Sequence, residues 1–262
     1  MTALVAVFCA VLGLVIGSFL NVVIWRVPRG ESVVSPPSHC PGCDSPISPR
    51  DNIPVVSWLL LRGRCRTCRT RIAVRYPLVE ALTGALFAGM ALRCAHLGHG
   101  YAVLPAYLVF TAVVVALAFI DLDTKRLPNV LVLPMYPVAV VGLGVPALVH
   151  GQGDAARNAA VGGAALYAFY FVLCFATAGK GLGFGDVKLA GVLGAFLGWL
   201  GWKDVLVGAI SGIFVGGLVA VVLLARGAGR KAQIPFGPFL VIGALIGIFA
   251  GHPVGHAWLG SA

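Results

Sequence analysis

Eight apolar stretches dominate this chain, near residues 3–25, 77–95, 101–120, 127–149, 158–178, 187–202, 205–225 and 234–258. Most of them have the roughly 17–25 residues that a helix needs to cross a bilayer. They predict an all-α polytopic membrane protein of about eight transmembrane helices. Composition agrees: 59% of residues are hydrophobic and 11% charged, where a soluble domain carries about a quarter charged. The sixth stretch is the shortest and is rich in glycine.

Charge gives the orientation. Met1 to Trp25 holds no lysine or arginine, so it lacks the basic start of a secretory signal peptide. Arg26 and Arg29 follow the first apolar run. Positive charge on that side predicts an outside N-terminus and a cytosolic loop over 26–76. The inner segments 26–76, 121–127, 179–188 and 226–231 together hold 16 of the 19 basic residues, and Arg93, Arg157 and Lys203 fall outside. The net charge of +10 therefore needs no nucleic acid. Basic inner loops beside anionic lipid headgroups are sufficient, and membrane lipids are the expected partners.

The 26–76 loop is the only polar stretch long enough for a small module. Three parts follow: a first transmembrane helix over 1–25, the loop over 26–76, and a membrane-embedded part over 77–262. No internal sequence repeat and no low-complexity tail are evident. Glycines inside the helices, such as Gly208, Gly212, Gly216 and Gly217, suit close helix packing.

Cys40-Pro-Gly-Cys43 and Cys65-Arg-Thr-Cys68 form a C-x2-C, C-x2-C pair. Two residues between cysteines let both sulfurs face one ion, and two such pairs complete a tetrahedral thiolate site. A small cytosolic zinc-ribbon-like domain is expected, with Zn2+ held by Cys40, Cys43, Cys65 and Cys68. A cytosolic location favours thiols over disulfides. The metal would be structural, because so small a loop has little core. A redox pair or unrelated cysteines is the competing reading. His39 beside the first knuckle is superfluous to a four-Cys site. Cys9, Cys94 and Cys174 lie in apolar stretches and read as small packing residues.

Nine acidic residues remain to be sorted. Glu31, Asp44 and Asp51 lie in the polar loop, where solvation suffices. Asp154 and Asp204 read as ordinary outer-side loop residues. Glu80, Asp121, Asp123 and Asp186 fall near the inner ends of helices. Asp186 closes Gly183-Phe184-Gly185-Asp186, and an ionisable group in a membrane segment is a functional-site hypothesis by default. The two glycines allow a neighbouring helix or an extended substrate backbone to approach it closely. Asp121, Asp123 and Asp186 come from inner connections and can meet at one depth. Two such carboxylates can work on a peptide bond, one taking a proton from water and the other donating to the carbonyl oxygen. Mutual repulsion in a partly desolvated site separates the acid from the base. Interfacial anchoring, or pairing with Lys125, Arg126 or Lys188, is the competing reading.

These residues also carry a family resemblance, from about residue 12 to 245. Gly17-Ser-Phe-Leu-Asn-Val-Val-Ile-Trp-Arg-Val-Pro28, the four-Cys loop, Asp51-Asn-Ile-Pro-Val-Val-Ser-Trp58 and Arg75-Tyr-Pro-Leu-Val-Glu80 come first. Ile120-Asp-Leu-Asp-Thr-Lys-Arg-Leu-Pro-Asn129, Gly183-Phe-Gly-Asp-Val-Lys-Leu-Ala190 and Ile234-Pro-Phe-Gly-Pro-Phe239 follow. In this order the motifs resemble those of the type IV prepilin peptidases, bifunctional leader peptidase/N-methyltransferases of the GxGD membrane aspartyl protease group. The resemblance implies that Asp121 and Asp186 are the catalytic pair, with Asp123 outside the family position. Asn129 stands where the family often has aspartate. Also implied is cleavage of the basic leader of prepilin-like substrates at the cytosolic side of the inner membrane. Cleavage usually falls after glycine, and the new N-terminal residue is then N-methylated with S-adenosylmethionine. Shorter relatives lack the cysteine loop and are peptidases only, so the loop here favours both activities. No glycine-rich nucleotide-binding signature marks the S-adenosylmethionine site. Glu80 is a candidate for it, with a structural contact at the helix entrance as the alternative. Ile234 to Phe239 either positions substrate backbone near the aspartates or caps the last helix. Two other classes remain: an ion-coupled transporter, and a non-catalytic zinc-binding assembly protein.

Overall fold

The structure is a computed structural model that describes residues 1–97, 101–177, 181–227 and 234–259, with side chains as far as Gly251. Lys180, Arg230 and Lys231, counted above among the inner charges, lie outside the described residues. The helices in chain order are α1 (Thr2–Arg26), α2 (Val56–Leu60), α3 (Arg75–Ala95), α4 (Leu104–Thr124) and α5 (Asn129–Val132). They continue with α6 (Met135–His150), α7 (Gly153–Ala176), α8 (Phe184–Leu200), α9 (Trp202–Ala225) and α10 (Gly237–Leu259). Six spans among the described residues are long and apolar enough to cross a membrane. The 17-residue α8 and α10 complete the eight expected, so the chain is an all-α, multi-pass membrane protein. The fourth stretch differs in one respect: it is broken between α5 and α6, where Pro134 supplies no N–H to continue the first turn.

The chain divides into two compact units, Met1–Ala116 and Leu117–Ala262, with α4 running across the division. In the first unit α1 and α3 pack together along small residues. A Cβ on Gly17 would lie 2.7 Å from the Glu80 Cα, and one on Gly13 would lie 2.8 Å from the Gly84 Cα. The large side chains of α1, among them Leu4, Val7, Phe8 and Val11, point outward. That division of small residues inward and large apolar ones outward is how helices associate where lipid offers no hydrophobic drive.

In the second unit α8 is the central helix, and 12 of its 17 residues are buried. Its glycines make this possible. A Cβ on Gly194 would collide with the Gly162 carbonyl of α7, so any larger residue would force the two helices apart. The glycine richness that marks the sixth stretch is thus the signature of the most enclosed helix. α9 and α10 pair in the same way through Gly208, Gly212, Gly243 and Gly247.

Asp204 is not the outer-loop residue expected. It is 2% exposed and lies in the first turn of α9. The α8–α9 connection is a single residue, Gly201, with a φ of 144°, which leaves no loop for it to occupy. A Cβ on Gly251 would lie 2.7 Å from the Asp204 Cα. Asp154 is exposed at the start of α7 and pairs with Arg157 at 3.2 Å.

Candidate functional site

Asp121 lies in the last turn of α4 and is 5% exposed. Its Oδ2 accepts a hydrogen bond of 3.0 Å from the Gly237 N–H, the first residue of α10. The free N–H groups of a helix start favour a carboxylate, so α10 holds Asp121 by its N-terminus. Gly237 has no substitute here, because a Cβ would stand 2.8 Å from that same Oδ2. Ile234 to Phe239 therefore both caps α10 and supplies the amide that fixes Asp121. Capping is one of the two roles read for this segment from the sequence, the other being to position substrate backbone; the contact with Asp121 was not foreseen.

Asp186 occupies the third position of α8 and is 8% exposed. Its Oδ2 accepts a 2.9 Å hydrogen bond from the N–H of Gly183, the residue that caps the helix. This is the returning half of a capping box. The spacing in Gly183-Phe-Gly-Asp186 is thus the spacing that folds a carboxylate back onto its own helix start. Of the two uses foreseen for the glycines, the close approach of a neighbouring segment is realised. A Cβ on Gly185 would lie 3.1 Å from Leu127, and one on Gly237 would lie 3.3 Å from the same side chain. Leu127 packs against both Gly185 and Gly237, between the start of α8 and the start of α10. Sequence reasoning missed this role, for which its place six residues beyond Asp121 was the only signal.

The two aspartate sites are linked through Leu127, which meets both Gly185, beside Asp186, and Gly237, whose amide holds Asp121. Among the described residues neither aspartate forms an ion pair. Lys188, a possible partner, instead donates to Asn129 Oδ1 at 3.0 Å and lies over the Phe184 ring. Tyr136 donates to the Lys188 carbonyl at 2.8 Å. Asp123 is exposed two residues beyond Asp121, about 200° further round the helix. The burial difference between the two is what chemistry from sequence alone left open.

In the first unit the four cysteines converge, with one sulfur from each within 4.8 Å of the others. Cys40 Sγ and Cys68 Sγ are 3.7 Å apart. Four zinc–sulfur bonds of about 2.3 Å in a tetrahedron place sulfurs ~3.8 Å apart, so the cluster fits that ion. His39 is not among the converging groups. The loop also contains a duplication that the sequence reading did not recognise. The Cys40 N–H donates to the Ser45 carbonyl and the Asp44 N–H to Cys40, as Cys65 does to Thr70 and Arg69 to Cys65. Asp44 and Arg69 both adopt positive φ. C-x2-C-x-Ser/Thr-x-Ile is the shared sequence of these two turns.

Thr70, through its hydroxyl and its amide, pulls the Cys68 thiol down to about 6, which favours a thiolate ligand. The Gly42 amide acts in the same sense on Cys40, but burial and the three neighbouring sulfurs outweigh it and push Cys40 up to about 11. Asp51 does more than face solvent: its carboxylate takes a forked contact from Arg66, at 2.6 and 2.9 Å. That guanidinium holds Asp51 below the usual carboxylate range.

Glu80 is buried where α3 meets α1, and its Oε2 accepts a 2.7 Å bond from the Val55 N–H. Val55 has a φ of 61°, a genuine outlier for a β-branched residue. The contact therefore fastens a strained point of the loop to the helix pair, in the manner of the structural alternative.

The Type IV leader peptidase family matches residues 108–249, and the Bacterial Peptidase A24 N-terminal domain matches residues 11–94. A protein of Aeromonas hydrophila named prepilin leader peptidase/N-methyltransferase is 39% identical, over 94% of this chain and 91% of its own length. Proteins of the same name from Neisseria gonorrhoeae and Myxococcus xanthus are 38% and 45% identical. They align with 95% and 88% of this chain, and with 93% and 67% of their own lengths. No solved structure matches the chain. With one family spanning the helices that carry both aspartates and a companion domain spanning the cysteine loop, this chain belongs to the type IV leader peptidase family.

Proposed function

We propose that this protein is a membrane aspartic endopeptidase that removes the leader of type IV prepilin or prepilin-like proteins and N-methylates the residue exposed. The observation that carries the peptidase reading is the pair Asp121 and Asp186, each buried, each held by one backbone amide at a helix start, with no basic partner among the described residues. One carboxylate, ionised, takes a proton from water as its oxygen attacks the peptide carbonyl. The other, protonated, donates to the carbonyl oxygen, and a proton then passes to the departing amine. Fixing both groups in advance keeps the reacting geometry without reorganisation.

The active face is cytosolic and the membrane is the inner membrane, a reading supported by the excess of basic residues in the inner connections. The first helix and the four-Cys loop form the methyltransferase-associated part, and 77–262 forms the peptidase part. Zn2+ on Cys40, Cys43, Cys65 and Cys68 closes the loop structurally, and membrane lipids contact its exposed arginines. S-adenosylmethionine, when bound, supplies the methyl group for the new amine. Its binding residues are not assigned, and Glu80 is already engaged by the Val55 N–H. A transporter or a purely structural protein is not favoured, since both aspartates sit at helix ends beside a capping amide rather than at mid-span.

The test is co-expression with a prepilin-like substrate. Asp121→Asn and Asp186→Asn are each expected to lower leader removal by 10³-fold or more, on the scale of losing an essential proton-transfer group. Asp123→Asn is expected to remain near wild type. Normal processing by the Asp186 variant would sink the mechanism.

A further inference from the structure

Tyr170 of α7 is among the largest fully enclosed side chains of the second unit, 1% exposed. Its hydroxyl is also buried and has no hydrogen-bond partner among the described residues. Native structures rarely leave such a group unpaired without a functional reason. A phenylalanine would fill the same space without that penalty, so packing explains the ring and leaves the oxygen unexplained.

Its position supplies the explanation. α7 and α8 run antiparallel in a register fixed where Gly194 meets Gly162 and Gly198 meets Asn158. Eight residues further along α7 and eight back along α8, that register brings Tyr170 level with Asp186. No hydrogen bond joins the two side chains. The ring of Phe236, next to Gly237, lies 6.3 Å from the Tyr170 ring. The Tyr170 ring thus lies against the residue that precedes α10, at the level of Asp186 in α8.

We propose that Tyr170 is a third catalytic group, whose hydroxyl donates a hydrogen bond to the oxygen of the scissile peptide as water attacks it. This rests on the reading of Asp121 and Asp186 as the catalytic pair. As the bond from water to carbonyl carbon forms, the carbonyl electron pair moves to oxygen, and the phenol stabilises that charge without giving up its proton. The phenol therefore acts on the oxygen rather than on the carboxylate, whose own amide partner is Gly183.

The test is Tyr170→Phe, assayed in detergent micelles with a synthetic prepilin-like peptide, beside wild type and Asp186→Asn. Loss of one donor to a developing oxyanion costs on the order of 100-fold in kcat, and that fall is expected with KM little changed. Methylation of an already cleaved peptide and the melting temperature should be unchanged, or the melting temperature slightly raised, because the hydroxyl has no partner to lose. The acid and base limbs of the pH profile should stay in place while the whole profile drops. Wild-type kcat in Tyr170→Phe would overturn the proposal, as would limbs that shift, since the hydroxyl would then act through Asp186. A lowered melting temperature would also overturn it, by showing that the hydroxyl serves the fold. Cleavage by Asp186→Asn would instead overturn the dyad itself.

Discussion

The cysteine loop and the aspartate pair both bring reactive groups together, and they do so by opposite means. In the loop, ligands come from two nearly identical turns, closely spaced in sequence, around which little is buried. Cys40 is buried while Cys43, Cys65 and Cys68 are only partly covered. In the second unit, the carboxylates come from residues 65 apart in sequence, and the amide that fixes Asp121 comes from a third element 116 residues away. Closeness there is set by helix starts and by glycines that let elements touch. An ion on the four sulfurs would close the loop where there is little core, and dense packing holds the second site where there is one.

The largest expected effect breaks the loop side of this comparison. Structural zinc contributes about 10–16 kcal/mol of binding free energy in zinc-finger peptides, more than so small a loop can recover by packing. Cys65→Ser, or exhaustive chelation, should leave the purified protein without stoichiometric zinc and the 26–76 segment open to proteolysis. Methylation should fall much further than leader cleavage, because the aspartates do not depend on those thiols. A folded, active protein that never contained zinc would refute the metal assignment.

The same contrast governs what the sequence disclosed. The C-x2-C pairs are local, so their spacing alone announced four converging sulfurs. The duplication escaped notice because the two turns share a pattern of backbone bonds and only a few residue types. Eight helices were legible because a bilayer demands long apolar runs. Asp121 could not be separated from Asp123 by chemistry alone, since burial at a helix end depends on which neighbour covers it. Asp204 was misjudged for a related reason: Gly201 turns the chain in one residue, and nothing in the apolar pattern distinguishes that from a short loop. Gly237 and Leu127 act across distances in sequence that no local pattern reports.

The aspartate side breaks at its glycines. Gly237→Ala places a methyl 2.8 Å from the Asp121 carboxylate, and overpacking of this kind costs about 1–3 kcal/mol. Because the displaced group is the reacting one, cleavage should fall by roughly 10- to 100-fold, with methylation of a pre-cleaved peptide intact. Gly185→Ala meets only Leu127, at 3.1 Å, and should lose less. Equal losses in both variants would show that general helix packing, not the Asp121 contact, is being measured.

Glu80 tests the connection between the loop and its own helix pair. Glu80→Ala leaves the Val55 N–H without its acceptor at a position already strained, a combined cost of about 1–3 kcal/mol. Glu80→Gln keeps an acceptor oxygen and should retain most of the stability. If methylation follows stability in both variants, Glu80 is structural. If Glu80→Gln is as stable as wild type yet loses methylation, its charge has a second use.

The smallest effect belongs to Asp51 and Arg66, an ion pair at the loop's surface. Exposed pairs contribute little, and salt screens them. Arg66 holds the Asp51 carboxyl below its ordinary value, so the pair's contribution is fully present above the unfolded carboxylate pKa of about 3.9. It is lost only as pH falls through the lower, folded value. Asp51→Asn should therefore speed zinc release to a chelator slightly and by a constant factor between pH 6 and 8. That factor should shrink in 1 M salt, where the Debye length is about 3 Å. A difference that grows with salt, or that changes across neutral pH, would mean that Asp51 holds the knuckles by something other than this pairing. The distinction between a loop closed by metal and one closed by surface charge would then have to be redrawn.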